Sequence, residues 1–361
     1  MTITFQALRG WTAAFATGLA LAAATADAAP RERQQTRPRA AAPEGVPYAG
    51  REDVLRFAAE LSERRGWDRA WVEQQLAGAR KLPVVQRLIM PPPAGTAKNW
   101  AAYRARFVET SRINAGLRFW QAHESWLAQA EARFGVPAEI VVGIIGVETF
   151  YGRIMGNFRV LDALATLSFD FPTGRRDRSA LFRGELEELL ALAHRGGTDL
   201  ATLRGSFAGA LGLPQFLPGS LNKYGVDFDG DGRIDLIHSE ADVVGSVANY
   251  LAQFGWQRGQ PTHYPVAVPV EVSDRALLLA PDILPSFTAA QFAERGAELG
   301  GGGRNHEGLL ALVELQNGDA APSYVAGTQN FYAVTRYNWS SYYALAVIEL
   351  GAEIARARTA R

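Results

Sequence analysis

Residues 141–152, VVGIIGVETFYG, set one carboxylate, Glu148, at the end of an otherwise apolar stretch. Ile140 through Val147 holds only aliphatic residues and glycine, so a helix formed there has no polar face to turn to water. Helical spacing groups Glu148 with Val141, Ile144 and Tyr151. A carboxyl group among apolar neighbours keeps its proton toward neutral pH, because burial penalises the charged form. Such a group can give a proton and then take one back, as cleavage of a sugar acetal requires. A Glu at a helix end can instead turn outward to water; the apolar flanks argue against that here.

Three further constellations carry chemistry. In Gly205–Ser220, GSFAGALGLPQFLPGS, small residues let a bulky ligand approach the backbone, with Ser206 and Gln215 as hydrogen-bonding groups and Phe207 and Phe216 as apolar faces. The same composition also suits a close helix–helix crossing without a ligand. Residues 227–235, DFDGDGRID, place Asp227, Asp229 and Asp231 at the alternate positions of a calcium loop, with Gly232 at the sharp turn and the Arg233 carbonyl as a further ligand. His238 stands where the closing Glu belongs, so Asp242 or Glu240 must close a lengthened loop; the other reading is an Asp-rich turn that binds nothing firmly. Thr335–Tyr343, TRYNWSSYY, reads as a strand-to-helix junction capped by Ser340 or Ser341, with Tyr337 and Asn338 either facing a cleft or simply joining two elements. Arg175, Arg176 and Arg178 form a basic cluster that either meets carboxylates or is solvated.

The elements that must position these groups are mostly helical. Helical patterns cover about 52–65 and 68–79, then a proline-punctuated segment at 82–93, then one long pattern from about 99 to 133. Gly135 closes that pattern, and Pro137 opens the helix carrying Glu148. Further helices are expected over about 178–194, 240–254 and 341–357. Segments 264–272, 309–316, 323–325 and 331–335 read as short strands. The fold expected is mainly α (α+β): a helical body with a small strand-containing lobe near the C-terminus.

Composition narrows the function classes. With 37 basic and 37 acidic residues the net charge is zero, which argues against nucleic-acid binding by bulk electrostatics. The absence of cysteine excludes disulfides, zinc–thiolate sites, thiol nucleophiles and lipid attachment through an N-terminal cysteine. Arg9, an apolar run over about 11–24 and Ala26-Asp27-Ala28 form an export signal over 1–28, too short to span a bilayer comfortably. Residues 29–49 shift to Arg, Gln, Pro and Ala without period and read as a disordered basic linker. The expected divisions are then 50–135 (N-terminal helices), 136–258 (the catalytic core with the calcium loop) and 259–361 (the lobe and final helix). The mature protein is expected to be soluble in a periplasm, with no integral membrane segment after cleavage.

The chain resembles the membrane-bound lytic murein transglycosylase B family. The strings that carry the resemblance are GIIGVETFYG (143–152), LATLSFD (164–170), SFAGALGLPQFLPGS (206–220), VDFDGDGRIDL (226–236), DVVGSVANYL (242–251) and QNFYAVTRYN (329–338). The resemblance implies a lysozyme-like helical core with a single catalytic acid at Glu148. It implies a peptidoglycan cleft at Ser206, Gln215, Tyr250, Tyr337, Asn338 and Tyr343, with Arg175 and Arg176 matching on looser spacing. It implies a structural calcium ion at Asp227, Asp229 and Asp231, closed by Asp242. The activity implied is cleavage of the MurNAc-β-1,4-GlcNAc bond of glycan strands with formation of 1,6-anhydro-MurNAc, in cell-wall turnover. A hydrolase using the same acid, or a non-catalytic peptidoglycan-binding scaffold, are the alternatives. Wall-synthesis enzymes are the protein partners such turnover suggests, although no residue names one.

Overall fold

In a computed structural model of the chain, residues 45–91 and 98–360 are described. The export signal over 1–28 and the linker to residue 44 lie outside the described residues. The linker read from sequence runs too far: Tyr48 is 1% exposed, and its hydroxyl donates to Asp170 Oδ2 at 2.7 Å, so residues 45–49 belong to the folded body.

The helical body begins with α1 (Glu52–Arg65), α2 (Arg69–Ala77), α3 (Pro83–Leu88), α4 (Trp100–Phe107), α5 (Thr110–Ala122), α6 (Glu124–Phe134) and α7 (Ala138–Thr149). The single helical pattern expected over 99–133 is therefore three helices. The breaks fall at Glu109, whose carboxylate accepts from the backbone N–H groups of Ser111 and Arg112, and at His123. Capping donors at the start of a helix stabilises the break against a continuous helix.

After α7 come β1 (Phe158–Arg159), α8 (Val160–Phe169), α9 (Ser179–Gly196), β2 (Arg204–Gly205), α10 (Pro218–Tyr224) and α11 (Glu240–Gln253). The lobe holds β3 (His263–Ala267), α12 (Val272–Leu279), α13 (Ala289–Glu294), β4 (Glu298–Leu299), β5 (Ala311–Asn317) and β6 (Ala320–Gly327), in an antiparallel sheet of order β4-β3-β6-β5. Its own apolar cluster includes Leu278, Phe292, Leu310 and Leu312. The chain leaves the body near Gln257 and returns at α14 (Gln329–Asn338) and α15 (Ser341–Thr359). The buried Asn330 clamps this crossing: its Oδ1 accepts from Gln257 N–H, and its amide donates to the Gln257 and Gln260 carbonyls.

Segment 331–335, expected as a strand, is the middle of α14. Thr328 caps that helix through Asn330 N–H and also donates to the Pro261 carbonyl, so the cap is tied to the exit strand. Capping and burial of Phe331, Ala333 and Val334 override the strand preference of the aromatic and β-branched residues.

At the centre, α7 packs on α15. Between Ala138 and Thr149 only Glu139 and Glu148 are not fully buried, and each buried Val or Ile contributes about 1.5–3 kcal/mol. The two helices approach through glycines: a Cβ on Gly143 would strike the Val347 carbonyl, and one on Gly351 the Glu139 carbonyl. Gly143→Ala should therefore destabilise the protein by about 1–3 kcal/mol, because a backbone carbonyl cannot swing aside. Urea unfolding would check this, and a variant as stable as the parent would show that α15 can shift.

Candidate active site

The last turn of α7 carries Glu148, and α15 supplies its partner: the Tyr343 hydroxyl donates to Glu148 Oε1 at 2.6 Å. Burial pushes the Glu148 carboxyl from 4.5 to about 7, and the hydrogen bond from Tyr343 opposes part of that rise. The residue as a whole is half-buried. Four tyrosines from four helices surround the carboxyl: Tyr103 of α4, Tyr250 of α11, Tyr337 of α14 and Tyr343 of α15. Burial chiefly, with the Glu148 charge adding to it, holds each of these phenols protonated.

The backbone past Glu148 turns sharply. Phe150 (φ 52), Tyr151 (φ 57) and Gly152 (φ 84) are all left-handed, and for a non-glycine residue that costs about 1–3 kcal/mol. Tyr151 therefore does not share the Glu148 face by helical spacing, because α7 ends at Thr149. The Thr149 hydroxyl donates to the Leu213 carbonyl at 2.9 Å and accepts from Gly152 N–H, joining this turn to the glycine-rich loop.

That loop builds the opposite wall. The Tyr337 hydroxyl donates to the Pro214 carbonyl at 2.7 Å, and the Tyr250 hydroxyl to the Arg336 carbonyl at 2.7 Å. Phe216 packs on both tyrosine rings, and Tyr337 stacks on Tyr343 with ring centroids 6.1 Å apart. Gln215 (φ 53) donates from its amide nitrogen to the Gly212 carbonyl at 2.9 Å. Ser206 accepts through its hydroxyl from the Ala208 and Ala210 N–H groups, so its oxygen shapes the loop from within. Asn338 ends α14 and is half-buried, and Ser340 caps α15 by accepting from Tyr343 N–H. The junction around Asn338 thus joins two helices rather than a strand and a helix.

Glu148, Tyr250, Tyr337, Tyr343 and the Gln215 loop therefore form one cluster. The arginines are anchored elsewhere: Arg175 donates to the Ile89 carbonyl beyond α3 and lies over Phe171, and Arg176 is exposed. Sequence reasoning missed Tyr103, whose ring meets Phe107 at 5.1 Å and Tyr342 at 5.8 Å. It lies three residues after Trp100 and four before Phe107, on the apolar face of that helix, a spacing that could have found it.

The acidic loop lies at the other end of α11. Carboxylate oxygens of Asp227, Asp229 and Asp242 lie within 4.8 Å of one another. Asp242 is 1% exposed, and its two oxygens accept from Phe228 N–H and Asp235 N–H at 2.7 and 2.8 Å. Asp231 is turned differently: it accepts from Arg233 N–H and lies 3.5 Å from the Arg233 guanidinium. Three converging carboxylates without nitrogen or sulfur donors suit a hard cation such as calcium. Asp242 and Tyr250 are eight residues apart on α11, about 12 Å along the helix, so this loop sets the helix that carries a cleft tyrosine.

Among the described residues no helix is long and apolar enough to cross a membrane. Residues 50–352 match the family described as transglycosylase SLT domain. The chain is 38% identical over 322 residues to the membrane-bound lytic murein transglycosylase B of Escherichia coli (strain K12), covering 87% of this chain and 86% of that one. Among solved structures it is similar to the soluble lytic transglycosylase SltB1 from Pseudomonas aeruginosa, at a TM-score of 0.77 and 38% identity over 85% of this chain and 99% of that one. It is also similar to the Escherichia coli lytic transglycosylase Slt35 in complex with calcium, at a TM-score of 0.74 and 38% identity over 88% of this chain and 96% of that one. With its lone tyrosine-ringed acid on a buried helix and a family match over most of its length, the chain belongs to the transglycosylase SLT domain family.

Proposed function

We propose that the chain is a peptidoglycan lytic transglycosylase that cleaves the MurNAc-β-1,4-GlcNAc bond and closes the muramic acid into its 1,6-anhydro form. The observation that carries this reading is the Glu148 carboxyl, held near neutrality by burial and hydrogen-bonded by Tyr343 among the cleft tyrosines; Glu185, which burial also raises to about 7, accepts instead from Gly219 N–H. Protonated Glu148 gives its proton to the leaving glycosidic oxygen as the bond to the anomeric carbon breaks. The developing positive charge falls to the substrate's own acetamido group, as in substrate-assisted glycosidases. Glu148, now ionised, takes the proton from the muramic acid 6-hydroxyl, whose oxygen bonds to the anomeric carbon. An intramolecular nucleophile is favoured over water by its high effective molarity. The Tyr343 hydroxyl can donate to Glu148 in either charge state and so holds the carboxyl in place through both steps.

The cleft reading extends to Ser206, Gln215, Tyr250, Tyr337 and Asn338 as substrate-facing groups, with Arg175 and Arg176 at an outer part of the binding surface. We assign a structural calcium ion to Asp227, Asp229 and Asp242, with Asp231 and the Arg233 carbonyl completing the set. When bound, the ion supplies rigidity to the loop ahead of α11 and no chemistry at Glu148. Peptidoglycan as substrate and the export signal read from sequence at 1–28 both support a periplasmic location for the mature protein.

Digestion of purified peptidoglycan with mass spectrometry of the products tests the reaction. Products one water lighter than the hydrolysed form are expected; reducing-end products would make the protein a hydrolase with the same acid, and no release would favour a binding scaffold. The same assay run against pH should show kcat/KM falling about tenfold per unit above a pH near 7, because the first step needs the proton on Glu148. A flat profile to pH 9 would mean that Glu148 is not the acid.

A further inference from the structure

The turn behind Glu148 is held by a cation that touches neither the carboxyl nor the tyrosines around it. Arg112, in the first turn of α5, has a side chain only 12% exposed. Its Nη1 donates to the Gly146 carbonyl, among the last carbonyls of α7, at 2.6 Å. Its guanidinium carbon lies 4.5 Å from the Phe150 ring centroid and 5.2 Å from that of Phe107. Arg153 also lies over the Phe150 ring, at 4.6 Å. The Tyr151 ring is wedged where a Cβ on Gly116 or Gly146 would strike its hydroxyl. Among the described residues, neither Arg112 Nε nor the Tyr151 hydroxyl finds a hydrogen-bond partner.

A buried guanidinium is costly unless something specific repays its lost hydration. Here the compensation is the Glu109 carboxylate, 4.0 Å from Nε, together with one carbonyl at the negative end of α7 and the faces of two rings. Two of these contacts, to the Gly146 carbonyl and the Phe150 ring, bear on the segment that must stay in the left-handed conformation, Phe150 and Tyr151, and those to Glu109 and Phe107 anchor the guanidinium to α4 and α5. Gly146 is two residues, or about 200° of helical turn, from Glu148, so Arg112 grips α7 from behind the carboxyl.

We propose that Arg112 is a positioning residue for Glu148: its grip on the Gly146 carbonyl and the Phe150 ring enforces the strained turn that keeps the carboxyl dry beneath Tyr343. The titratable groups that interact with Glu148 itself are the phenols of Tyr103 on α4, Tyr250 on α11, Tyr337 on α14 and Tyr343 on α15, while α5 brings Arg112 and Glu109 to the far side of α7. The reading rests on Glu148 as the proton donor, and the test separates the two claims.

Protein labelled with ¹³C at the Glu side-chain carboxyl would be titrated by NMR, with the Glu148 signal assigned by its absence in Glu148→Gln. Arg112→Met and Arg112→Lys would be titrated in parallel, and their kcat and KM measured on peptidoglycan. In the parent the Glu148 midpoint is expected near 7. In Arg112→Met it should fall toward the ordinary carboxylate value as water reaches the loosened turn. Removing a cation would by itself raise the midpoint, so the direction distinguishes hydration from lost charge. In the same variant kcat should fall about 10- to 100-fold with KM within about threefold. Arg112→Lys, which can still donate to the Gly146 carbonyl, should recover part of both.

A folded Arg112→Met with its midpoint unchanged or raised, and kcat within about twofold of the parent, overturns the proposal. Should Arg112→Met not fold, Arg112→Lys decides by the same criterion: a lowered midpoint and reduced kcat support it, and parental values overturn it. If the parent releases no muropeptides but the midpoint still falls in the variants, the catalytic reading fails and the positioning role stands.

Discussion

Replacing Glu148 with Gln is expected to lower turnover of peptidoglycan by about 10³–10⁴-fold, since a positioned acid–base group commonly contributes about 10²–10⁴ and this one acts in both steps. The amide keeps the size of the carboxyl and can still accept the hydrogen bond from Tyr343, so binding of glycan strands should survive. Stability should move the opposite way. The Glu148 carboxyl titrates near 4.5 when unfolded and near 7 when folded. The folded state thus prefers the protonated form, and the parent loses stability as pH rises from about 4.5 to about 7. At about 1.4 kcal/mol per tenfold change in proton affinity, that loss is on the order of 3 kcal/mol above pH 7. Gln carries no charge to bury, so Glu148→Gln should unfold at a higher temperature than the parent at pH 8 and at nearly the same temperature at pH 4. Turnover assays and thermal melts at the two pH values check both halves. An inactive variant that is also less stable at pH 8 would mean that the carboxyl is a structural group whose loss disorders the cleft.

The acid was legible because eight consecutive apolar residues leave a helix no outer face, so burial of its last turn follows from composition alone. The ring of tyrosines was legible only in part. Tyr337 was reached from the junction at 335–343, and Tyr250 and Tyr343 through a family resemblance, whereas Tyr103 was hidden inside a run that reads as one amphipathic helix. The break in that run is made by Glu109, a carboxylate at a capping position where Ser, Thr, Asp or Asn is the usual signal. Residues 331–335 were misread because Phe, Tyr, Val and Thr favour a strand locally, while the cap at Thr328 and the buried clamp at Asn330 act through contacts more than sixty residues away in sequence. In the acidic loop the spacing pointed to Asp227 and Asp229 and to a late closing carboxylate. It could not show that Asp231 turns toward Arg233, since successive residues of a turn differ in direction by backbone angles that sequence does not print.

Asp242 is expected to matter more to the loop than Asp231, the aspartate at the third position of the spacing. Its carboxylate accepts from Phe228 and Asp235 N–H, at the two ends of the acidic loop, while the residue itself stands in the first turn of α11. Asp242→Ala would leave two half-buried donors without their carboxylate partner, at about 1–3 kcal/mol each. A loss on the order of 3 kcal/mol, or roughly 5–10 °C in melting temperature, is therefore expected even in calcium-free buffer. Asp231, with half of its side chain exposed and its partner the neighbouring Arg233, carries no such duty. Asp231→Ala should match the parent without calcium and differ from it only in how far millimolar calcium raises the melting temperature, which follows the affinity for the ion. Melts of the three proteins with chelator and with added calcium separate a residue that builds the loop from one that only ligates. Equal melting temperatures for the parent and Asp242→Ala in chelator would show that the two backbone hydrogen bonds do not hold the loop, and that the ion alone does.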